Sequence, residues 1–120
     1  MNKSPLAVYK EFREGMLSGT NSWIGLITEQ VKLKGPLAEI EGKEDFIKIN
    51  EPFFASIKEN TVHKAIEHEN YVITQVTTEV EVPSGKRLKL EVSEWYEITD
   101  NKISSLRVYF DTAEFLREMS

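Results

Sequence analysis

The sequence contains no cysteine and no long apolar run. The missing cysteine excludes a disulfide framework, a thiolate metal site and a cysteine nucleophile. No apolar segment of about 18 residues exists to span a bilayer, and the first residues, MNKSPLAVYKEF, lack the apolar run of a signal peptide. We therefore expect a cytoplasmic protein.

Positive charge is scarce as well. The 15 Lys and Arg residues against 20 Asp and Glu residues give a formal net charge of −5 at pH 7. Nucleic acids and acidic membranes bind to a basic face that displaces counterions, so the charge argues against both partners. A length of 120 residues with 40% hydrophobic residues is ordinary for one soluble domain. We expect a single domain over residues 1–120.

Three helical segments are predicted before residue 60. The first begins at Ser4-Pro5, where Ser can cap and Pro is tolerated in the first turn, and it ends at Ser18-Gly19. A short second segment begins near residue 21 and carries Trp23, Ile24 and Ile27. The third covers residues 43–58, and Pro52 is expected to kink or split it because proline lacks a backbone donor and its ring clashes with the preceding turn.

Strands dominate the rest of the chain. Alternating apolar residues and turn signals predict strands over residues 31–34, 61–68, 71–82 and 87–99, with a closing strand from Ile103. The closing strand turns into a short helix, with Asp111 placed as its N-cap and Glu114 at the capping-box position. This order predicts an α+β fold: a curved antiparallel sheet with three N-terminal helical segments packed on its concave face.

The two longest predicted strands form a hairpin with two alternative registers. A three-residue loop with Gly85 in a bulge pairs Glu79 with Lys89 on the solvated face. A two-residue loop instead places Gln75 opposite Glu94 and turns Glu79 to that shared face, since a one-residue slip inverts every side chain. The hydrophobic pattern favours the first register.

Glu94 is the strongest candidate for acid/base chemistry. It lies on the apolar face of its predicted strand, where burial would raise the pKa of its carboxyl group toward neutral pH. The alternative is a carboxylate that is neutralised by Lys34 or lies at a wet pocket mouth. Glu79 is a weaker candidate, because a surface pair with Lys89 explains it without a pocket. Lys34 is either a pocket cation, a partner of Glu94, or a residue facing water.

The remaining candidates carry a structural interpretation beside the functional one. His63 and His68 lie on opposite faces of a regular strand, which is not a metal-ligand arrangement, so we expect no metal. His63 by itself is either a pocket residue or a structural histidine. Phe12, Trp23 and Phe53 fit a core, and core aromatics also line pockets. Trp95 alternates onto the face opposite Glu94 and indicates an interface.

The ending of the chain resembles a known family. The motif is formed by Asn101-Lys102-Ile103, Leu106-Arg107-Val108-Tyr109-Phe110-Asp111 and Glu114-Phe115, and the block Gly35-Pro36-Leu37 supports it. With the three preceding helical segments, it is similar to the nuclear transport factor 2-like superfamily, in the SnoaL-like branch of polyketide cyclases, ketosteroid isomerases and limonene-epoxide hydrolases. The resemblance implies a cone-shaped fold with an apolar pocket between helices and sheet, and a homodimer.

The isomerase residues of the family carry over in part. The resemblance places Phe12 where those enzymes have a tyrosine that donates to an oxyanion, and Lys34 or Gly35 where they have the general base. Their second acid, on the penultimate strand, falls near Glu94. In the family, the alternation of side chains along this strand (its strand parity) also turns Gln75 toward the pocket, whereas the hydrophobic pattern turns it away.

The hydrolase residues carry over less well. The resemblance places Val108 where the hydrolases have an aspartate on the closing strand. Thr77 and Glu79 are the nearest matches to their arginine and second aspartate. The triad is therefore broken at two of three positions, although the same parity turns Thr77 and Glu79 inward.

These observations predict a SnoaL-like protein that binds a small organic ligand in an apolar pocket. It would act as a cofactor-independent isomerase, cyclase or hydrolase through Glu94, with Glu79 as a second catalytic candidate. The alternative is a non-catalytic binding or dimerisation module that has lost the family's catalytic groups. The predicted ligand-binding residues are Phe12, Trp23, Lys34, Phe53, His63, Gln75, Thr77, Tyr96 and Val108.

Overall fold

The computed structural model describes residues 3–119, so the predicted domain limits at residues 1 and 120 lie outside the described residues. The helices are α1 (Pro5–Leu17), a short 3-10 helix (Ser22–Leu26), α2 (Lys43–Ala55) and α3 (Ala113–Met119). The strands are β1 (Ile27–Lys34), β2 (Glu39–Glu41), β3 (Ile57–His68), β4 (Tyr71–Glu81), β5 (Arg87–Thr99) and β6 (Lys102–Tyr109). They form one sheet in the order β2-β1-β6-β5-β4-β3.

The α+β architecture is confirmed, with one difference in the sheet. Most neighbouring strands are antiparallel, as predicted, but β1 pairs with β6 in parallel, so the sheet is mixed. Parallel pairing requires a long crossover connection. The chain between β1 and β6 contains α2 and four strands, which gives ample length for the last strand to return beside the first. Local sequence patterns do not reveal this long-range pairing.

The first helix begins as predicted and packs closely on the 3-10 helix. The hydroxyl of Ser4 accepts a hydrogen bond from the backbone N–H of Ala7 at 3.1 Å, which caps the helix. At Gly15, an added Cβ would lie 2.6 Å from the Ser22 Oγ and 2.9 Å from the Trp23 nitrogen. The absence of a side chain at residue 15 therefore allows the close approach of the two helices.

Helix α2 runs through Pro52 and ends at Ala55, three residues earlier than predicted. Pro52 lies in the last turn, so its missing N–H removes one hydrogen bond, to the carbonyl four residues earlier, and only three helical residues follow it. Two strands also start earlier than predicted: β1 begins at Ile27, which had been assigned to the second helix, and β3 begins at Ile57. Both residues pair with neighbouring strands, so sheet pairing overrides the weak local pattern there.

The long hairpin adopts the register that the hydrophobic pattern favours. Glu79 lies opposite Lys89, and Thr74 rather than Gln75 lies opposite Glu94. Gly85 has a φ of +89°, the left-handed conformation that a bulged three-residue loop requires. The predicted inward orientation of Gln75, Thr77 and Glu79 from the family's strand parity is therefore wrong.

The C-terminal helix begins one residue later than predicted. Thr112, rather than Asp111, occupies the N-cap position, since its carbonyl accepts the backbone N–H of Leu116 at 2.8 Å. The Asp111 carboxylate accepts the N–H of Ala113 at 3.0 Å, so it still satisfies a free donor of the first turn.

Two hydrophobic clusters lie on the concave face of the sheet. The larger one joins α1, the 3-10 helix and α2 to the sheet, and the smaller one follows the β4–β5 hairpin. Val108 of β6 packs against both clusters. Within residues 3–119, no helix is long and apolar enough to cross a bilayer.

Candidate ligand-binding site

A cavity of about 700 Å³ lies between the concave face of the sheet and the helices. This volume is within the range of sites for small organic molecules. Its walls come from α1, α2, α3, the loop after β1 and strands β4, β5 and β6. Most of the lining is aliphatic or aromatic, and it includes Phe12, Phe53, Leu90, Val92, Val108 and Phe115.

Glu94 of β5 supplies a carboxyl group to this apolar cavity. The carboxyl group lies beside Thr74 of β4, whose buried hydroxyl donates to Oε1 at 2.8 Å. Tyr96, two residues further on the same face of β5, is buried, and its phenol lies beside the carboxyl group. Strand alternation brings the three side chains to the concave face, because Glu94 and Tyr96 are separated by one residue and Thr74 is the cross-strand partner of Glu94.

Burial raises the pKa of the Glu94 carboxyl group, because desolvation penalises its charged form. The hydrogen bonds from Thr74 and Tyr96 and the positive charge of Arg13 act in the opposite direction, but burial prevails. Burial, followed by the negative charge of Glu94, likewise raises the pKa of Tyr9 and Tyr96. Both phenols therefore stay neutral hydrogen-bond donors beside a carboxyl group whose protonated form is favoured by burial.

A second set of hydrogen-bonded polar side chains connects α1 to the sheet. The Arg13 Nε donates to Asn60 Oδ1 at 2.8 Å, and its Nη2 donates to the Asn60 carbonyl at 2.7 Å. The Asn60 Nδ2 then donates to the Thr78 Oγ1 at 2.8 Å. Thr78 is buried and lines the cavity. The sequence analysis missed these three residues, although Thr78 is a polar residue between Val76 and Val80 on an apolar strand face.

Part of the predicted site comes together in the cavity. The predicted residues that line it are Glu94, Phe12, Phe53, Tyr96 and Val108. Trp23 lies behind this wall: its ring packs edge-on against Phe54 at 5.0 Å and against Phe12 at 6.1 Å between ring centroids. Trp23 therefore supports two lining aromatics without lining the cavity itself.

The other predicted residues lie on the convex face. His63 Nε2 is 2.6 Å from Thr77 Oγ1, which donates to the exposed Glu91 carboxylate at 2.9 Å. Gln75 and Glu79 follow the same outward alternation on β4. The structure thus separates these residues from Glu94 by the thickness of the sheet.

Lys34 is also remote from the cavity. It lies opposite Glu39 of β2 and Arg107 of β6, in a shallow polar depression of the outer sheet surface. Lys34 therefore neither pairs with Glu94 nor lines the main cavity.

The described cavity wall has no basic side chain and offers no metal ligands as a group. Its lining residues include no Lys, Arg or His. Across residues 3–119, no three His, Asp or Glu side chains lie close enough together to hold a metal ion. The lining therefore offers a ligand a few polar side chains in a mainly apolar environment.

The sequence model of the SnoaL-like domain matches residues 7–106. The chain therefore belongs to the SnoaL-like domain family, whose nuclear transport factor 2-like fold agrees with the architecture above. A search of curated proteins finds no match.

Several solved structures share the fold. A nuclear transport factor 2-like protein of unknown function from Cytophaga hutchinsonii has 23% identity and a TM-score of 0.80, and the match covers 97% of both chains. A candidate SnoaL-like polyketide cyclase from Jannaschia sp. CCS1 has 14% identity and a TM-score of 0.81, covering 100% of this chain and 97% of the other. A third structure is a protein from Catenulispora acidiphila that has a ketosteroid isomerase-like fold and is in complex with trimethylamine. It has 13% identity and a TM-score of 0.78, and the match covers 97% of this chain and 93% of the other.

Proposed function

We propose that the cavity binds a small, neutral, largely apolar molecule with a carbonyl group directed at Glu94. The observation that carries this proposal is the Glu94 carboxyl group facing about 700 Å³ of mainly apolar space. Because the lining has no basic residue, an anionic ligand would enter without a counter-charge. Because burial favours the protonated carboxyl group, a carbonyl oxygen is the complementary acceptor.

The reaction class that fits this geometry is a cofactor-independent isomerisation or ring closure. Protonated Glu94 donates its proton to the carbonyl oxygen while a water molecule removes the α-proton, so that the electron pair of the broken C–H bond forms the enol double bond. The reverse transfers return a proton to a carbon atom and the hydroxyl proton to Glu94, which completes the isomerisation. The carboxylate left behind by the first transfer keeps the hydrogen bond from Thr74, which stabilises its charge. The apolar walls lower the local polarity and so strengthen these interactions. Phe12, Phe53, Tyr96 and Val108 would position the ligand, whereas Glu79 on the convex face has no part in this mechanism.

The exchange of α-protons tests the proposal directly. The apolar ketone 2-tetralone is incubated with the protein in D₂O, and loss of its α-proton signals is followed by proton NMR. We expect the wild-type protein to accelerate the exchange and Glu94→Gln to reduce the acceleration about 100-fold, as general acid/base catalysis requires. Glu91→Gln is the matched control, since that carboxylate also accepts from a β4 threonine but is exposed. Equal exchange with and without Glu94 would contradict the catalytic role.

A second candidate function is a non-catalytic module that acts through the convex face. Large apolar side chains are exposed there, including Trp95 at 42% and Ile66 at 54%. Exposed apolar groups of this size mark interaction surfaces. The register places Ile66 beside Ile73 and Ile73 beside Trp95, so they form one patch, here called the convex apolar patch. We propose that this patch joins two copies of the chain in a homodimer.

A further inference from the structure

We propose that Thr78 is a second hydrogen-bond donor to the ligand, and that Asn60 and Arg13 orient its hydroxyl group. This inference rests on the proposed function, because it assumes a ligand in the same cavity. It assigns the ligand a class: an elongated apolar molecule with a second hydrogen-bond acceptor remote from the group that meets Glu94.

The hydrogen bonds from Arg13 to Thr78 have only one possible direction. Arginine carries donors and no acceptor, so the Asn60 oxygen must face Arg13 and the Asn60 amide nitrogen must face Thr78. The bond from Arg13 Nη2 to the Asn60 carbonyl holds the guanidinium group at a second point. The Thr78 oxygen consequently accepts from Asn60 and keeps its proton for another partner.

The burial of Thr78 makes its unpaired hydroxyl proton evidence for a ligand acceptor. Thr78 is only 5% exposed and lines the cavity. Among residues 3–119, the Thr78 hydroxyl has Asn60 as its hydrogen-bond partner and no acceptor for its own proton. A buried donor without an acceptor costs free energy, which a ligand oxygen in the cavity would recover.

Apart from the Glu94 group, the other polar side chains of the lining are less buried than Thr78, and each already has a protein partner. Asn50 Nδ2 donates to the Phe46 carbonyl at 2.9 Å, and the Ser56 hydroxyl donates to the Phe53 carbonyl at 2.6 Å, both within the α2 region. Glu81 pairs with Lys58 at 3.9 Å at the partly exposed end of the hairpin. Thr78 differs from these side chains because it is buried and its own proton has no acceptor among the described residues, so beside the Glu94 group it is the polar position that gains most from a ligand acceptor.

Strand geometry sets the spacing of these two positions. Thr74 and Thr78 lie on the same face of β4, four residues apart, which corresponds to about 13 Å along the strand. Glu94 is hydrogen-bonded to Thr74, so its carboxyl group lies at one end of the distance between Thr74 and Thr78. The side chains between them, Val76 and Val92, are apolar. A ligand that reaches both ends therefore has an apolar middle section.

Competition with the neutral dye Nile red tests the inference. Tridecane-2,12-dione and tridecan-2-one are compared as displacing ligands, since they share the chain length and differ in the second carbonyl group. We expect the wild-type protein to bind the dione about tenfold more tightly than the monoketone. One additional hydrogen bond contributes a factor of about five, and the two equivalent orientations of the dione contribute the remaining factor of about two. Thr78→Val is expected to remove the fivefold part, and Thr78→Ser is expected to retain it.

Asn60→Leu separates orientation from direct contact. It removes the donor to Thr78, so we expect the ratio of the dione affinity to the monoketone affinity to fall below that of the wild-type protein. Equal loss of affinity for both ketones in Thr78→Val, or no preference for the dione beyond twofold in the wild-type protein, would overturn the role of Thr78 alone. Failure of Nile red and both ketones to bind would instead overturn the proposed function together with this inference.

Discussion

The two faces of the sheet place similar side chains of β4 and β5 in different environments. Glu94 and Glu91 both lie on β5, and each accepts a hydrogen bond from a β4 threonine, Thr74 or Thr77. Glu94 faces the cavity, whereas Glu91 is exposed on the convex face. Burial raises the pKa of Glu94. The comparison shows that the side of the sheet, rather than the residue type or its hydrogen-bond partner, makes a carboxyl group a candidate acid.

The largest expected contrast concerns apolar packing. Ile103 is fully buried in the main cluster, and Ile66 is 54% exposed. We expect Ile103→Ala to lower the free energy of unfolding by about 2–5 kcal/mol, because it removes buried methyl groups and leaves a cavity. Ile66→Ala is expected to cost about 1 kcal/mol or less. Urea denaturation measures both variants, and equal losses would remove the distinction between the faces.

The next contrast tests whether a second copy covers the convex apolar patch. We expect Trp95→Lys to weaken self-association by at least about 2 kcal/mol, which is typical of a buried aromatic at the centre of an interface. Analytical ultracentrifugation over a range of protein concentrations measures the change. Lys89→Ala, also on β5, is the control and should have little effect. A wild-type protein that stays monomeric at all concentrations would exclude the proposed homodimer.

The pH dependence of stability distinguishes the two carboxyl groups. The unfolded glutamate has a pKa of about 4.3, and burial raises the pKa of Glu94 in the folded state. Between these two pKa values the folded state binds more protons than the unfolded state, so the Glu94 contribution makes stability fall as pH rises. Above the folded pKa this loss is complete.

We therefore expect Glu94→Gln to gain stability relative to the wild-type protein as pH increases from 4 toward neutrality. Urea denaturation at a series of pH values measures the difference. Glu91→Gln, which removes an exposed carboxylate from the same strand, is measured over the same pH series as the matched control. A constant difference between Glu94→Gln and the wild-type protein at every pH would contradict a raised pKa for Glu94.

The smallest expected effect is on the convex face. Thr77→Val removes the hydroxyl that joins His63 to Glu91 but keeps a β-branched side chain on β4. We expect a change in the free energy of unfolding within about 0.5 kcal/mol, since exposed polar contacts contribute little. Nile red affinity should be unchanged. A large loss of Nile red binding would show that the two faces are coupled.

Sequence patterns predicted much of the fold because strand alternation and helix capping are local. The alternation of Val76 and Val80 with polar neighbours was enough to select the hairpin register, and Ser4 was enough to place the start of α1. The same alternation correctly placed Glu94 and Trp95 on opposite faces. The prediction failed for Gln75, Thr77 and Glu79 where the family's strand parity replaced the residue pattern.

By itself, the sequence determined which residues alternate toward an apolar face, since each strand exposes every second side chain to the same side. Only the tertiary structure decided which distant segments meet: the parallel pairing of β1 with β6, and the contacts of Arg13 with Asn60 and of Asn60 with Thr78. Local periodicity carries no information about these contacts, because each of them joins residues that are far apart in the chain. The same packing desolvates Glu94 and leaves a cavity beside it.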